Sequence, residues 1–324
     1  MFAVYADQPD DKNPLNALVI GEQPEPEPQD GWVKVRMIAA SLNWHDLWTL
    51  RGMGAANGRP ERFPMILGCD GVGTLDDGSH VVIYPMVGSP DWKGDETLDP
   101  ERQNFSEYLQ GTMADYAFVP RRNAVPLPEG ISTLAGSVLG ASWITAYRML
   151  FTHSSMRAGQ TMLVQGGLGG VASALIQMGK AAGMRVWTTV RTEEKRALAV
   201  KLGAQEAFLD GAPLPGRVDA VFEPVGAATW AHSMAAVKAG GTIVVCGLSS
   251  GSYPPLDLAR IFIEQITIKG VTAGTLDEFR DMLAFIQTAG IEPHVGHLLP
   301  MSEAREGLAL MTSGNMKGKI VLQR

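Results

Sequence analysis

Two textures of hydrophobic and polar positions divide the chain. In the first third, short runs at 33–40, 80–86 and 113–119 are apolar or alternate apolar with polar, and clusters of Gly, Pro and Asp separate them, a pattern that predicts strands joined by turns. Gly68, Gly71, Gly73 and Gly78 punctuate a tightly turning segment. Residues 87–110 are polar and irregular and read as a surface loop. The period changes after 126–130. A helix is expected at 134–149, and strands and helices then alternate. Strands are expected at 161–165, 185–190, 207–209, 218–223, 242–246 and 266–271, and helices at 171–182, 193–202 and 229–237. Such alternation predicts an α/β fold in which helices cover both faces of a parallel sheet. The tail holds helices at 276–289 and 302–312 and a last strand at 319–323.

Composition narrows the classes open to such a chain. A length of 324 residues suits two domains, and 45% hydrophobic with 19% charged residues describes a globular protein. The net charge of −7 argues against a general nucleic-acid surface, which needs clustered Lys and Arg. Cys69 and Cys246, the two cysteines, imply no disulfide framework. Residues 1–9 lack the basic start and apolar core of a signal peptide. No run of about 18 apolar residues exists, so no membrane span is expected and the cytoplasm is the default location.

The strand at 161–165 leads into Gly166-Gly167-Leu168-Gly169-Gly170-Val171-Ala172 and then into a helix. Gly167, Gly169 and Ala172 match the pattern G-x-G-x-x-G/A. Small residues there make a tight turn, admit a pyrophosphate to the backbone, and let helix pack on strand. The helix start adds free N–H groups and partial positive charge. Between a strand and a helix in a βαβ run, the motif predicts a dinucleotide cofactor. An NAD site normally has an acid at the end of the second strand. Here that end is Val190, followed by Arg191, and Arg191 and Lys195 are suited to hold a 2′-phosphate. Glu193 and Glu194 lie close by and oppose it. The missing acid favours NADP(H) over NAD(H).

These motifs, with Ala40-Ser41-Leu42-Asn43-Trp44-His45-Asp46-Leu47, Gly68-Cys69-Asp70-Gly71-Val72-Gly73, Ala114-Asp115-Tyr116, Thr145-Ala146-Tyr147, Gly240-Gly241-Thr242-Ile243-Val244 and Gly318-Lys319-Ile320-Val321-Leu322, resemble the medium-chain dehydrogenase/reductase superfamily over nearly the whole chain. Within it the chain looks most like the zinc-free quinone oxidoreductase branch. The resemblance implies a GroES-like β-rich catalytic domain from 1–126 and 274–324 and a doubly wound Rossmann domain from 127–273, with the active site in the cleft between them. It implies homodimers or homotetramers, dimers often forming through edge strands of the Rossmann sheets. It also implies cofactor contacts: Thr145 near the nicotinamide, Gly167, Leu168, Gly169, Gly170 and Val171 at the pyrophosphate, Cys246-Gly247-Leu248 at a strand end, the backbone of Ala273-Gly274-Thr275 at the carboxamide, and Lys319 at the adenosine phosphate.

Zinc members of the superfamily use a Cys, a His and a later Cys or Asp. The first two positions fall on Asn43 and Cys69, and the third in Gly140 to Trp143, which offers no ligand. Residues 87–110 lack the four cysteines of a structural zinc. Without a metal to stabilise an alkoxide, reduction of a quinone or of an activated C=C bond is the easier chemistry, because charge spreads into a conjugated carbonyl. The candidate catalytic residues are Asn43, His45 and Asp46. Asn43 is placed to donate to a substrate carbonyl, and Asp46 to act as a cap or loop orienter. His45 or Tyr84 is a candidate proton relay. Trp44, Trp48 and Met53 are apolar walls for a flat substrate, or core. His80, His153, His232, His294 and His297 carry no assigned chemistry. A zinc alcohol dehydrogenase with an atypical site, and an NADPH-binding protein without turnover, are the alternatives.

Overall fold

The computed structural model describes residues 1–27, 29–52 and 62–324, and these fall into two compact units. The first comprises Met1–Ala141, Thr275–Gln287 and Val295–Arg324, and the second Ser142–Gly274 and Thr288–His294.

In the first unit the chain forms β1 (Phe2–Ala6), β2 (Leu18–Glu22), β3 (Trp32–Ser41), helix α1 (Trp44–Arg51), β4 (Met65–Ile66), β5 (Val72–Thr74), β6 (His80–Ile83), β7 (Met86–Val87), β8 (Gln103–Asn104), β9 (Tyr116–Pro120), β10 (Ala124–Pro126) and α2 (Thr133–Gly136). The long β3 alternates as its period requires: Val35 and Met37 are buried and Arg36 is exposed. On the outer face the Lys34 ammonium lies 3.9 Å from the centre of the Tyr116 ring. Val35, Met37, Ile83, Phe105, Ala117 and Val119 build one core, and Leu47, Leu50, Leu67 and Met113 contribute to another.

The segment 87–110 is not the surface loop its polarity suggests. It carries β7 and β8, and Thr97, Asp99, Phe105 and Ser106 are buried. Its acids fold it locally: Asp95 Oδ1 accepts the Thr97 N–H (2.9 Å) and Asp99 Oδ2 the Ser89 N–H (2.6 Å). Such side-chain turns stand in for a hydrophobic period. Beyond 126, Gly136 packs against Val72 and Leu127, and Gly140 against Asp70 and Ile83, so the first unit continues to Ala141.

The second unit holds α3 (Ile144–Tyr147), β11 (Thr161–Val164), α4 (Gly170–Ala181), β12 (Arg185–Val190), α5 (Glu193–Leu202), β13 (Glu206–Leu209), β14 (Val218–Glu223), α6 (Ala227–Ala236), β15 (Val237–Val245), α7 (Leu258–Ile263) and β16 (Thr267–Gly270). Its six strands are parallel in the order β13-β12-β11-β14-β15-β16, the Rossmann arrangement. The order reverses between β11 and β14, and ligands bind at such a switch point, beyond the carboxyl ends of the strands. Then come α8 (Leu276–Ala289), β17 (Val295–Pro300), α9 (Ala304–Ser313) and β18 (Lys319–Gln323). The last strand inserts beside β3, giving the order β10-β6-β5-β3-β18-β17 with β9 also on β3.

Candidate active site

The glycine motif leaves β11 at the switch point. Gly166 turns the chain with φ +69°, and the Gly167 N–H donates to the Thr189 carbonyl at 2.8 Å, drawing the turn against β12. A Cβ on Gly167 would stand 2.5 Å from Thr188 Oγ1 and 3.0 Å from the Thr189 oxygen. The N-cap of α4 is Gly169, whose lack of a side chain leaves the first N–H groups of the helix uncapped. Leu168 is buried, whereas Gly169, Gly170 and Val171 are partly exposed. A backbone cradle with uncapped N–H groups fits a pyrophosphate.

Beneath it lies a polar network that the sequence pattern does not announce. Glu223, the last residue of β14, is fully buried. Its Oε1 accepts the N–H groups of Val225 (2.9 Å) and Gly226 (3.0 Å) and the Thr229 hydroxyl (2.8 Å). Its Oε2 accepts the hydroxyls of Thr229 (2.9 Å) and Ser233 (2.5 Å). The Gln165 amide donates to Ser233 Oγ (2.9 Å) and meets His232 Nδ1 (3.0 Å), while Thr189 donates to Gln165 Oε1 (2.7 Å). His232 Nε2 lies 3.0 Å from the Ala212 carbonyl, which can only accept, so the proton sits on Nε2 and Nδ1 accepts from Gln165. Residues at the ends of β11, β12 and β14 are thus tied together at the switch point. The clue in the sequence is an acid ending an apolar strand just before a Pro-Val-Gly turn.

Arg191 is exposed directly after β12. Lys195 is half-buried in the first turn of α5, its N–H donating to Thr192 Oγ1 at 3.4 Å. Glu193, an opposing charge, is held by Arg196 through contacts of 2.9 and 3.0 Å. Thr145 sits partly buried on α3. Cys246-Gly247-Leu248 follows β15, and a Cβ on Gly247 would come 2.1 Å from the Pro224 carbonyl, so the two strand-end loops meet there. Burial pushes the Cys246 thiol up to about 12. Ala273 adopts φ +48°, an uncommon left-handed conformation for a residue with a side chain. Gly274 after it is buried. Thr275 departs from expectation: its N–H donates to Glu278 Oε2 (2.8 Å) and its carbonyl accepts from Phe279, so it starts α8 and its N–H is not available to a carboxamide.

In the first unit Asn43, Asp46, Asp70 and Lys319 form one buried cluster. Asn43 Nδ2 donates to the Ser41 carbonyl and to Asp70 Oδ2, both at 3.1 Å, and its Oδ1 accepts from Lys319 Nζ at 2.7 Å. Both amide hydrogens are therefore committed within the chain, and Asn43 is not the free substrate donor its position suggested. Asp46 is an orienter: Oδ2 accepts the Asn43 N–H (2.8 Å) and Oδ1 the Gly68 N–H (2.9 Å). Burial raises its carboxyl to about 6, against the opposing pull of those N–H donors. Lys319 also donates to the Leu42 carbonyl at 2.7 Å and is 3% exposed, which removes it from an adenosine phosphate site. Tyr84 is not a relay either. Its buried hydroxyl donates to Glu96 Oε1 at 2.9 Å, and burial holds it protonated.

His45 is half-buried beside the edge of Trp48, and its Nε2 is itself buried and has no hydrogen-bond partner among the described residues. Trp44 is exposed and Trp48 half-buried, while Met53 lies outside the described residues. Among the described residues no group of three or more His, Cys, Asp and Glu is placed to hold a metal ion. The Cys69 thiol is buried and pushed well above its usual range by desolvation and by Asp70.

Family models for the alcohol dehydrogenase GroES-like domain and for zinc-binding dehydrogenase match residues 29–129 and 170–288. The chain is 27% identical to the acryloyl-coenzyme A reductase of Sulfurisphaera tokodaii, with 96% of this chain and 97% of that protein covered. It is 26% identical to the quinone oxidoreductase of Mus musculus over 92% of this chain and 90% of that one. A solved NAD-dependent alcohol dehydrogenase superposes with a TM-score of 0.92 at 30% identity, with 100% of both chains covered. The chain belongs to the medium-chain dehydrogenase/reductase superfamily, with a GroES-like N-terminal domain and a Rossmann domain. It is an oxidoreductase. No helix among the described residues is long and apolar enough to cross a membrane.

Proposed function

We propose that this protein uses NADPH to reduce quinones or carbon–carbon double bonds conjugated to a carbonyl, without a metal. The observation that carries the reading is the buried cluster: the side chains at the metal-ligand positions are an amide committed to Lys319 and Asp70 and a single thiol, and among the described residues no group of three or more His, Cys, Asp and Glu is placed to hold a metal ion. Such a site offers no strong electrophile for alkoxide chemistry. The names of the acryloyl-coenzyme A reductase and quinone oxidoreductase relatives support a conjugated acceptor. The exposed Arg191 at the end of β12, where NAD sites carry an acid, supports NADPH even though the solved relative is named NAD-dependent.

NADPH, when bound, supplies the hydride. Hydride addition at the β-carbon of an enone moves an electron pair to the carbonyl oxygen, and a proton then adds at the α-carbon. The α4 N–H groups and Arg191 hold the phosphates. His45, the candidate with a ring nitrogen uncommitted among the described residues, carries the proton.

The test is oxidation of NADPH and of NADH, separately, with 9,10-phenanthrenequinone and with an enoyl thioester, before and after a chelator. Turnover that prefers NADPH and ignores the chelator is expected. Loss with chelator and recovery with zinc would overturn it. In the same assay His45→Asn should lower kcat about tenfold or more. Arg191→Ala should raise the NADPH KM about tenfold and leave that for NADH nearly unchanged, since only the former presents a 2′-phosphate.

We infer further that a second copy of the chain pairs along β16. This strand is an edge of the six-stranded sheet; Ile268 on it and Leu258, Phe262 and Ile263 on α7, which precedes it in the chain, are exposed. An open edge strand that exposes an apolar side chain favours self-association. Phe262→Asp with Ile263→Lys should halve the mass seen by light scattering, and a monomeric unmodified protein would refute the pairing.

A further inference from the structure

The Lys319 cluster joins segments far apart in sequence. Lys319 opens β18, Asn43 precedes α1, Ser41 ends β3, and Asp70 lies between β4 and β5. Nζ donates to the Leu42 carbonyl and to Asn43 Oδ1, each at 2.7 Å, and stands 3.9 Å from Asp70 Oδ2. Asp70 Oδ1 accepts the N–H (3.1 Å) and hydroxyl (2.8 Å) of Ser41, and its backbone carbonyl accepts the Thr112 hydroxyl at 2.5 Å. Lys319 is 3% exposed and Asp70 not at all.

A buried ion pair is a poor way to gain stability, since apolar residues of the same volume often do as well or better. What the arrangement does supply is orientation. A primary amide can be turned over by 180° with little change in shape. Here the ammonium requires an oxygen on one side of Asn43, and Asp70 requires hydrogens on the other, so a single orientation satisfies both. The Asn43 backbone is held as well, because its N–H donates to Asp46, and Asp46 in turn accepts from Gly68, in the segment that bears Asp70. The chain enters α1 from this point, and His45 is the second residue of that helix.

We propose that Lys319 is a positioning residue: by fixing the amide of Asn43 against Asp70 it sets the first turn of α1, and with it the imidazole of His45, in the orientation used on substrate. This rests on the role given to His45 above.

The experiment compares Lys319→Met with the double variant Lys319→Met/Asp70→Asn. The single variant leaves Asp70 buried without its counter-charge and should melt about 10 °C lower. Its kcat should fall about tenfold or more while the NADPH KM stays within about twofold. The double variant should regain most of the melting temperature and not the kcat. Recovery of kcat together with stability would reduce Lys319 to a purely structural part and overturn the proposal. A tenfold rise in NADPH KM would overturn it in favour of a phosphate contact.

A readout independent of turnover is the His45 imidazole resonance, assigned with His45→Asn. It should shift in the double variant, and an unmoved resonance refutes the proposal. If the unmodified protein turns over neither quinone nor enone, the functional reading fails, and the His45 resonance still decides whether Lys319 sets the ring.

Discussion

Gly167→Val should abolish NADPH binding, weakening it by about a hundredfold or more while leaving a folded protein. The added Cβ stands 2.5 Å from Thr188 Oγ1 and 3.0 Å from the Thr189 oxygen, the latter the acceptor of the Gly167 N–H itself. Loop and strand must separate, and the start of α4 moves with the loop. Each N–H that loses its phosphate forfeits about 1.5–3 kcal/mol, the range for hydrogen bonds to charged groups, so two such losses suffice. Overpacking itself costs about 1–3 kcal/mol, which a domain of this size survives. Isothermal titration with NADPH, read beside a thermal melt, is the check. Ordinary affinity in the Gly167→Val variant would remove the glycine turn from the cofactor site.

Glu223→Ala should be the most destabilising of these changes. It strips the acceptor from two backbone N–H groups and two hydroxyls in a fully buried place. Unsatisfied buried donors cost about 1–3 kcal/mol each, and because neighbours relax together a total of about 3–5 kcal/mol is expected. Glu223→Gln should be far milder. Its oxygen, placed where Oε1 is, still accepts from Val225 and Gly226, and its amide faces hydroxyls that can rotate to accept. Chemical denaturation of the two variants separates the explanations. Equal losses would mean that the negative charge, not the hydrogen-bond geometry, is what the site requires.

The parts of the fold legible in the sequence are those whose signals are local. The helix at 193–202 has Thr192 to cap it and Gly203 to stop it, and its bounds are those read from the pattern. The same holds for 276–289 and for the strand 319–323. β15 is longer than the expected 242–246, beginning at Val237 and running through Gly240 and Gly241. β1, β2 and β17 have no counterpart in the expected elements. β17 is at best half-buried along its length and owes its place to β18, a partner absent from its own pattern.

Chemistry divides in the same way. The dinucleotide cradle is written in consecutive residues, and the structure places them at a strand end and a helix start. Lys319 is the opposite case. The resemblance assigns it to the adenosine phosphate, whereas the pairing of β18 with β3 brings it to Asn43 and Asp70. The amide of Asn43, read as free to meet a substrate, has its partners supplied by residues 27 and 276 positions away.

The insertion of β18 beside β3 also dictates an order of assembly during translation. Every strand of the second unit lies between Thr161 and Gly270, so that sheet can close while the tail is still on the ribosome. The first sheet cannot. Ala40 finds its partner Leu322 only after every residue between them has been made. Until then one side of β3 near Ala39 to Ser41 is an open, apolar edge, the kind of surface on which nascent chains aggregate. That edge of β3 is closed only when β18 arrives, and slowed translation of the segment just before Lys319 should lengthen its exposure.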